Sequence, residues 1–248
     1  MDNKNNFKSD FALFIISLII YGLASNVAIT ISEKINFPNS IVALFYIILS
    51  IILIIDLKRK NKLSYYGFTS LKNLNYKNLL YFLPMIIIVS VNLWNGIHIN
   101  NSYVQIFLIT ICMICVGFFE ELIFRSFLMK AIMNKNNKLA IIISGTLFGI
   151  IHLLNIFTGA DILQTIIQVL YATAFGLMCS VFFYKTNNII PCIICHSLSN
   201  AFDIFLPINL SIKLQYLGCI SIILISSFYT IYLLKTKKSL IYNFKKEF

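Results

Sequence analysis

The sequence predicts an all-α, polytopic membrane protein with about eight transmembrane helices and both termini in the cytoplasm. Of its 248 residues, 59% are hydrophobic and only 12% are charged, and the mean hydropathy is +0.85. An ordinary soluble domain is about 45–50% apolar and about 25% charged. A water-soluble globule of this size could not bury so much apolar surface, and a disordered chain would contain fewer aromatic residues.

A transmembrane helix needs about 20 mostly apolar residues. Eight runs of the sequence suit such helices, and short polar stretches or stretches with Pro or Gly separate them. No long linker and no internal repeat divides the chain, so we expect residues 1–248 to form a single transmembrane domain. The predicted spans are 11–31, 40–57, 78–94, 104–130, 139–157, 162–184, 187–206 and 214–234.

The basic residues predict the orientation of these spans. Seventeen of the 20 Lys and Arg residues fall on the side of the N-terminus, only Lys34 and Lys213 fall on the other side, and Arg125 lies within a span. Cytoplasmic loops carry such an excess, so we expect both termini inside and a location in the cell membrane. The net charge of +11 is explained by topology, and we expect no nucleic-acid partner. The stretch from Lys58 to Lys77 is either an interfacial segment that binds anionic lipid or a solvated loop.

Ionisable residues within the spans are the main functional signal. Glu120, Glu121 and Arg125 share the fourth span, although a charged group near mid-bilayer costs about 2.5–3.5 kcal/mol on insertion scales. The i,i+4 spacing predicts an ion pair between Glu121 and Arg125. Glu120 has no local partner and must face another helix or take up a proton.

Two further spans carry polar residues at a matching depth. His152 lies in the fifth span, and His196 and Asn200 lie at i,i+4 in the seventh. At about 1.5 Å per residue, Glu120 and His196 lie roughly 15 Å from the cytoplasmic helix ends, and His152 and Asn200 lie roughly 20 Å away. The four residues therefore belong to one layer, which unrelated interhelical hydrogen bonds would not require.

This set of residues suits the hydrolysis of a peptide bond in or next to the membrane. A carboxylate can take the proton from an attacking water, and a histidine can pass it to the leaving amine. Neutral His and Asn N–H groups can bind the oxyanion. Alternatively, Glu120, His152 and His196 form a two-histidine, one-carboxylate set of the kind that holds catalytic zinc. The sequence leaves open whether the mechanism is zinc-dependent or metal-free.

Three motifs resemble those of the CAAX prenyl protease 2 and bacteriocin-processing (CPBP, or Abi) family of intramembrane proteases. The family motif E-E-x-x-x-R matches Glu120-Glu121-Leu-Ile-Phe-Arg125, F-x-x-x-H matches Phe148-Gly-Ile-Ile-His152, and H-x-x-x-N matches His196-Ser-Leu-Ser-Asn200. The match covers residues 104–206, which we expect to be the catalytic core.

The resemblance implies an eight-helix bundle whose site opens to the cytoplasm and admits a peptide or membrane-protein substrate from that side. It implies that Glu120 and His152 activate water, that His196 and Asn200 stabilise the oxyanion, and that Glu121, Arg125 and Phe148 support them. Eukaryotic members trim the last three residues of prenylated proteins, whereas many bacterial members are linked to bacteriocin maturation or self-immunity. A composition rich in Ile, Asn and Lys favours a bacterial plasma membrane and a bacterial substrate.

Two other functions fit the same residues. Intramembrane Glu, His and Arg also occur in proton relays and transporters, although broken helices and repeats are not evident here. A non-catalytic immunity or scaffold protein could bind a peptide without cleaving it. The small residues Gly145 and Gly149 let a neighbouring helix approach closely, either within the chain or in a homo-oligomer.

Overall fold

The computed structural model describes residues 3–69 and 80–236, and these residues form eight helices and no strand. Residues 70–77 of the basic stretch and the start of the third predicted span lie outside the described residues. The helices are α1 (Asn3–Lys34), α2 (Ser40–Arg59), α3 (Leu83–Leu93), α4 (Tyr103–Met133), α5 (Asn137–Thr158), α6 (Ile162–Thr186), α7 (Ile190–Phe205) and α8 (Ile212–Lys235).

The all-helical, polytopic architecture is confirmed, with one difference in helix length. Six helices are long and apolar enough to cross a membrane, whereas α3 and α7 are shorter apolar helices of 10–17 residues. Large apolar side chains are exposed along α1 and α2, and Leu23 is 66% exposed. Such a surface is a liability in water but suits lipid. The chain is therefore a multi-pass membrane protein.

Local sequence explains where the helices start and stop. The Asp161 side chain accepts a hydrogen bond from the Gln164 amide and caps α6, and Asn136 and Ser211 cap α5 and α8 in the same way. Gly159 follows α5 with a φ of 91°, a left-handed conformation that glycine adopts without strain. Pro191 occupies the first turn of α7, where its missing N–H costs no hydrogen bond.

We call one end of the bundle the basic end. It contains the start of α1 and the described parts of the connections that follow α2, α4 and α6. The Tyr65 and Tyr66 hydroxyls donate to Asp10 over 2.6 and 2.8 Å, and Ile189 N–H donates to the Gly67 carbonyl over 2.9 Å. Burial and these bonds to Asp10 raise the pKa of both tyrosines, so both remain hydrogen-bond donors at physiological pH. These contacts fasten α1 and α7 to the segment after α2.

The opposite end of the bundle joins the α3–α4 connection to the α7–α8 connection. His98 N–H donates to the Phe205 carbonyl over 3.0 Å, and the Asn100 amide donates to the Leu206 carbonyl over 2.9 Å. Between the two ends, the core is densest toward the basic end, where every α4 residue from Glu121 to Met129 is buried. The other half of α4 is mostly less buried, which leaves room for cavities there.

Candidate active site

Helix α4 changes its winding at the acidic motif. The α-helical part ends at Glu121, and Leu122–Leu128 form a π-helix. Such insertions are rare and frequently mark functional sites. One turn earlier, Gly117 brings α4 against α7, because a Cβ at this position would lie 2.7 Å from the Ser197 backbone nitrogen. The sequence therefore places the acidic motif directly beside the helix of His196.

The Glu121–Arg125 pair forms as the i,i+4 spacing predicts. Arg125 Nη1 lies 3.2 Å from Glu121 Oε1, and both side chains are fully buried. Arg125 Nη2 also donates to the Gly176 carbonyl over 3.3 Å, and its guanidinium lies 4.1 Å from the centre of the Phe148 ring. The α6 backbone and the Phe148 ring therefore hold the Arg125 guanidinium in place. These contacts partly replace the water that the buried charge has lost.

His196 lies between the two glutamates. Its Nδ1 atom is 3.0 Å from Glu121 Oε1, and its Nε2 atom is 3.8 Å from Glu120 Oε2. The Phe148 and Phe175 rings contact the imidazole edge-on, with centroids 5.5 and 5.4 Å away. Two carboxylates and two aromatic rings therefore fix the orientation of this histidine.

Glu120 has a partner that the sequence analysis missed. The Tyr21 hydroxyl of α1 donates to Glu120 Oε1 over 3.3 Å, and the Tyr21 ring packs on Phe119 and Tyr46. Tyr21 sits in an apolar run without any motif, and 99 positions separate it from Glu120. No local signal could have identified it.

His152 reaches the site through close packing of α5 on α6. Cβ atoms at Gly145 and Gly149 would lie 2.8 Å from the Leu177 backbone nitrogen and 2.7 Å from the Thr173 backbone nitrogen. The small residues thus serve a contact within the chain. One turn before His152, Phe148 meets its ring edge-on at 5.7 Å.

All four predicted catalytic residues line one cavity of about 460 Å³. Glu120 comes from α4, His152 from α5, and His196 and Asn200 from α7, and Phe148 forms part of the wall. Within the described part of the chain, no hydrogen bond occupies the Asn200 amide. The structure therefore brings together residues that are far apart in sequence around a shared, partly polar space.

A second opening leads from this site toward lipid. A groove of about 530 Å³ between α1 and α5 is lined by Glu120 and His152 at its inner side. Its other walls include Ile19, Leu23 and Leu154, which are exposed on the apolar surface. An apolar segment lying in this groove would pass next to the glutamate.

The predicted zinc ligands do not fit a metal ion in this arrangement. Among the described residues, one group of three His, Cys, Asp or Glu side chains has its ligand atoms within 4.8 Å of one another, namely Glu121, Cys179 and Cys192. Glu120, His152 and His196 are not such a group, and both His196 nitrogens face carboxylates. The ligand atoms of these three residues therefore do not surround one point in this arrangement.

The part of the chain that carries the three motifs is similar to a known protein family. Residues 102–202 match the model of the family described as Type II CAAX prenyl endopeptidase Rce1-like. No curated protein and no solved structure matches the chain. The matched segment contains the three motifs and the helices α4 to α7 that carry them. Over residues 102–202, which are less than half of the chain, the sequence is therefore similar to the family of Type II CAAX prenyl endopeptidases.

Proposed function

We propose that this chain hydrolyses a peptide bond of a membrane-associated peptide or protein with a water activated by Glu120 and His152. The observation that carries this proposal is the convergence of Glu120, His152, His196 and Asn200 on one cavity. A site of this kind needs a base, a proton donor and an oxyanion-binding group around a space that admits water and a carbonyl. The four residues supply all three roles.

Glu120 is the proposed general base. Tyr21 occupies its Oε1 atom, which leaves Oε2 toward His196 and the cavity. A water between Glu120 and His152 gives a proton to the carboxylate as its oxygen attacks the peptide carbonyl carbon. When the C–N bond breaks, this proton passes to the leaving amine, directly or through His152, so no other reactant is required.

His196 and Asn200 are the proposed oxyanion-binding residues. Glu121 is paired with Arg125 and therefore acts only as an acceptor, so the shared hydrogen lies on His196 Nδ1. Nε2 donates to an oxyanion only when the ring also carries a proton there. No described residue occupies the N–H groups of the Asn200 amide, which can therefore donate to the same oxygen. Glu121 is thus a positioning residue that acts through His196.

The family resemblance and the apolar groove support a proposal for the biological substrate. We propose that an apolar segment lies between α1 and α5, where Glu120 and His152 line the groove. The link of bacterial members to bacteriocin maturation or self-immunity makes such a peptide, or its precursor, the proposed substrate. A homo-oligomer is not needed to complete this site.

The test compares membrane peptides from cells that produce the wild-type chain with those from cells that produce Glu120→Gln. Mass spectrometry should find new peptide ends only with wild type, and these ends identify both the substrate and the bond. Glu33→Gln serves as a matched control, because Glu33 lies at the far end of α1 and lines none of the cavities above. Equal sets of peptide ends in wild type and Glu120→Gln would show that the catalytic assignment is wrong.

A further inference from the structure

The active-site cavity continues along α7 past Asn200 to Asp203. A second cavity of about 390 Å³ shares five lining residues with the first, and together they form one continuous cleft toward the α7–α8 connection. Asp203 lines both parts. The shared residues are Tyr171, Ser199, Asn200, Asp203 and Ile222.

Asp203 is held in place by hydrogen bonds, and no cation among the described residues pairs with it. The Asn92 amide of α3 donates to Asp203 Oδ1 and also to the Ser199 carbonyl, 2.9 Å away. Among the described residues Asp203 forms no ion pair, and no Lys or Arg lines either part of the cleft. A carboxylate in a cleft without a cation attracts positive groups and repels negative ones.

The distance between Asp203 and His196 along α7 indicates which part of a bound substrate would lie next to Asp203. Asp203 follows His196 by seven residues on the same helix, which is about 10 Å at a rise of 1.5 Å per residue. An extended peptide covers that distance in about three residues. A substrate bound at His196 and Asn200 would therefore present a group three residues away to Asp203.

We propose that Asp203 is a specificity residue that binds a positively charged group of the substrate about three residues from the cleaved bond. The group is an ammonium or guanidinium, from a Lys or Arg side chain or from a free amino terminus. This proposal rests on the proposed protease function. It also implies that a free carboxylate at the same place, such as the C-terminus of a prenylated tail, is disfavoured.

The experiment uses the full-length chain in lipid nanodiscs and a library of proteome-derived peptides. Mass spectrometry identifies the cut sites that appear with wild type but not with Glu120→Gln. The sequences around these sites are then aligned on the cleaved bond. We expect Lys or Arg, or the amino terminus, to be enriched about tenfold at one fixed position, which corresponds to a charge-assisted hydrogen bond. One library with acetylated lysines and one with blocked amino termini distinguish the possible sources of the charge.

Variants of Asp203 assign the preference to this residue. Asp203→Asn should abolish the enrichment, Asp203→Lys should replace it with Asp or Glu, and Asp203→Glu should retain it. Asp161→Asn is the matched control, because it removes an acidic charge near the same end of the bundle and asparagine still caps α6. A wild-type profile with no cationic position, or one that Asp203→Asn leaves unchanged, overturns the role of Asp203 alone. If no cut depends on Glu120, the protease function fails and this proposal fails with it.

Discussion

One oxygen atom of Glu121 serves two partners: it lies 3.0 Å from His196 Nδ1 and 3.2 Å from Arg125 Nη1. The same carboxylate oxygen thus faces the guanidinium on one side and the Nδ1 atom of the imidazole on the other. The acidic motif therefore links the charge balance in the core to the orientation of His196, the proposed oxyanion-binding histidine.

Replacing Glu121 should therefore damage both stability and catalysis. Glu121→Gln leaves Arg125 buried without a counter-charge, which costs about 3–5 kcal/mol. Peptide hydrolysis should fall roughly a hundredfold or more, since exchanging the carboxylate that orients a catalytic histidine for an amide costs about 10⁴ in a serine protease. Thermal unfolding in detergent and the turnover rate measure the two effects.

The double variant Glu121→Gln/Arg125→Met separates stability from catalysis. Removing both charges should restore much of the stability, because an apolar replacement of a buried pair is often neutral or stabilising. Activity should remain low, because His196 still lacks its carboxylate. Recovery of activity in the double variant would mean that Glu121 acts only through stability.

Sequence alone predicted the parts of the site that depend on local spacing. Glu121 and Arg125 are one helical turn apart, so their pairing follows from helix geometry, and apolar runs reveal the six long helices. The predicted spans 78–94 and 187–206 correspond to the shorter helices Leu83–Leu93 and Ile190–Phe205, and residues 78–79 of the first lie outside the described residues. Helix α7 packs largely inside the bundle against α3 and α4, so it needs no full lipid-spanning surface.

The remaining features depend on contacts distant in sequence. The contacts Tyr21–Glu120 and Asn92–Asp203 join residues 99 and 111 positions apart, and no periodicity encodes them. The π-helix at Leu122–Leu128 also has no recognised sequence signal. Asp203 belongs to none of the three motifs, and only the structure connects it to the cavity that the predicted catalytic residues line.

Tyr21 gives a direct test of the role of α1 in the site. Tyr21→Phe removes the only hydroxyl that donates to Glu120 among the described residues, and it keeps the aromatic packing on Phe119. We expect turnover to fall about tenfold, because a hydrogen bond to a charged group contributes about 1.5–3 kcal/mol. Tyr103→Phe is the control, since Tyr103 is exposed at the start of α4 and lines none of the three cavities. Wild-type turnover in Tyr21→Phe would show that the Tyr21 hydroxyl has no role in the site.

Gly149 should be intolerant of any side chain. A Cβ there would lie 2.7 Å from both the Thr173 nitrogen and the Val169 carbonyl oxygen, so Gly149→Ala must push α5 away from α6. Overpacking of this kind costs about 1–3 kcal/mol, and His152 moves with its helix. Thermal stability and turnover should both fall. At Gly22 a Cβ meets nothing within 4 Å, so Gly22→Ala should leave the thermal stability unchanged.

Chelation distinguishes the glutamate mechanism from the zinc mechanism. Because the ligand atoms of Glu120, His152 and His196 do not gather around one point, we expect activity to survive 1,10-phenanthroline and dialysis. Turnover of the reconstituted chain before and after treatment provides the measurement. Loss of activity that added Zn²⁺ restores, together with bound zinc in elemental analysis, would establish a metalloprotease.

Cys219 reports which face of the membrane the cleft opens on. It is partly exposed and lines the second cavity, whereas the other five cysteines are buried. The cleft leads to the α7–α8 connection, at the end of the bundle opposite the basic end. If both termini are in the cytoplasm, this cleft opens on the opposite side of the membrane. The family resemblance, in contrast, implies a cytoplasmic opening.

The excess of basic residues on one side is a strong determinant of topology, so we expect the cleft to face outward. A membrane-impermeant methanethiosulfonate reagent should then label Cys219 in intact cells and should not label Cys219→Ser. In the Cys219→Ser background, Lys58→Cys places an exposed thiol at the basic end, which should react only after permeabilisation. The reverse pattern would put both termini outside and open this cleft to the cytoplasm. The side that the reagent reaches thus decides whether this cleft receives exported peptides or cytoplasmic ones.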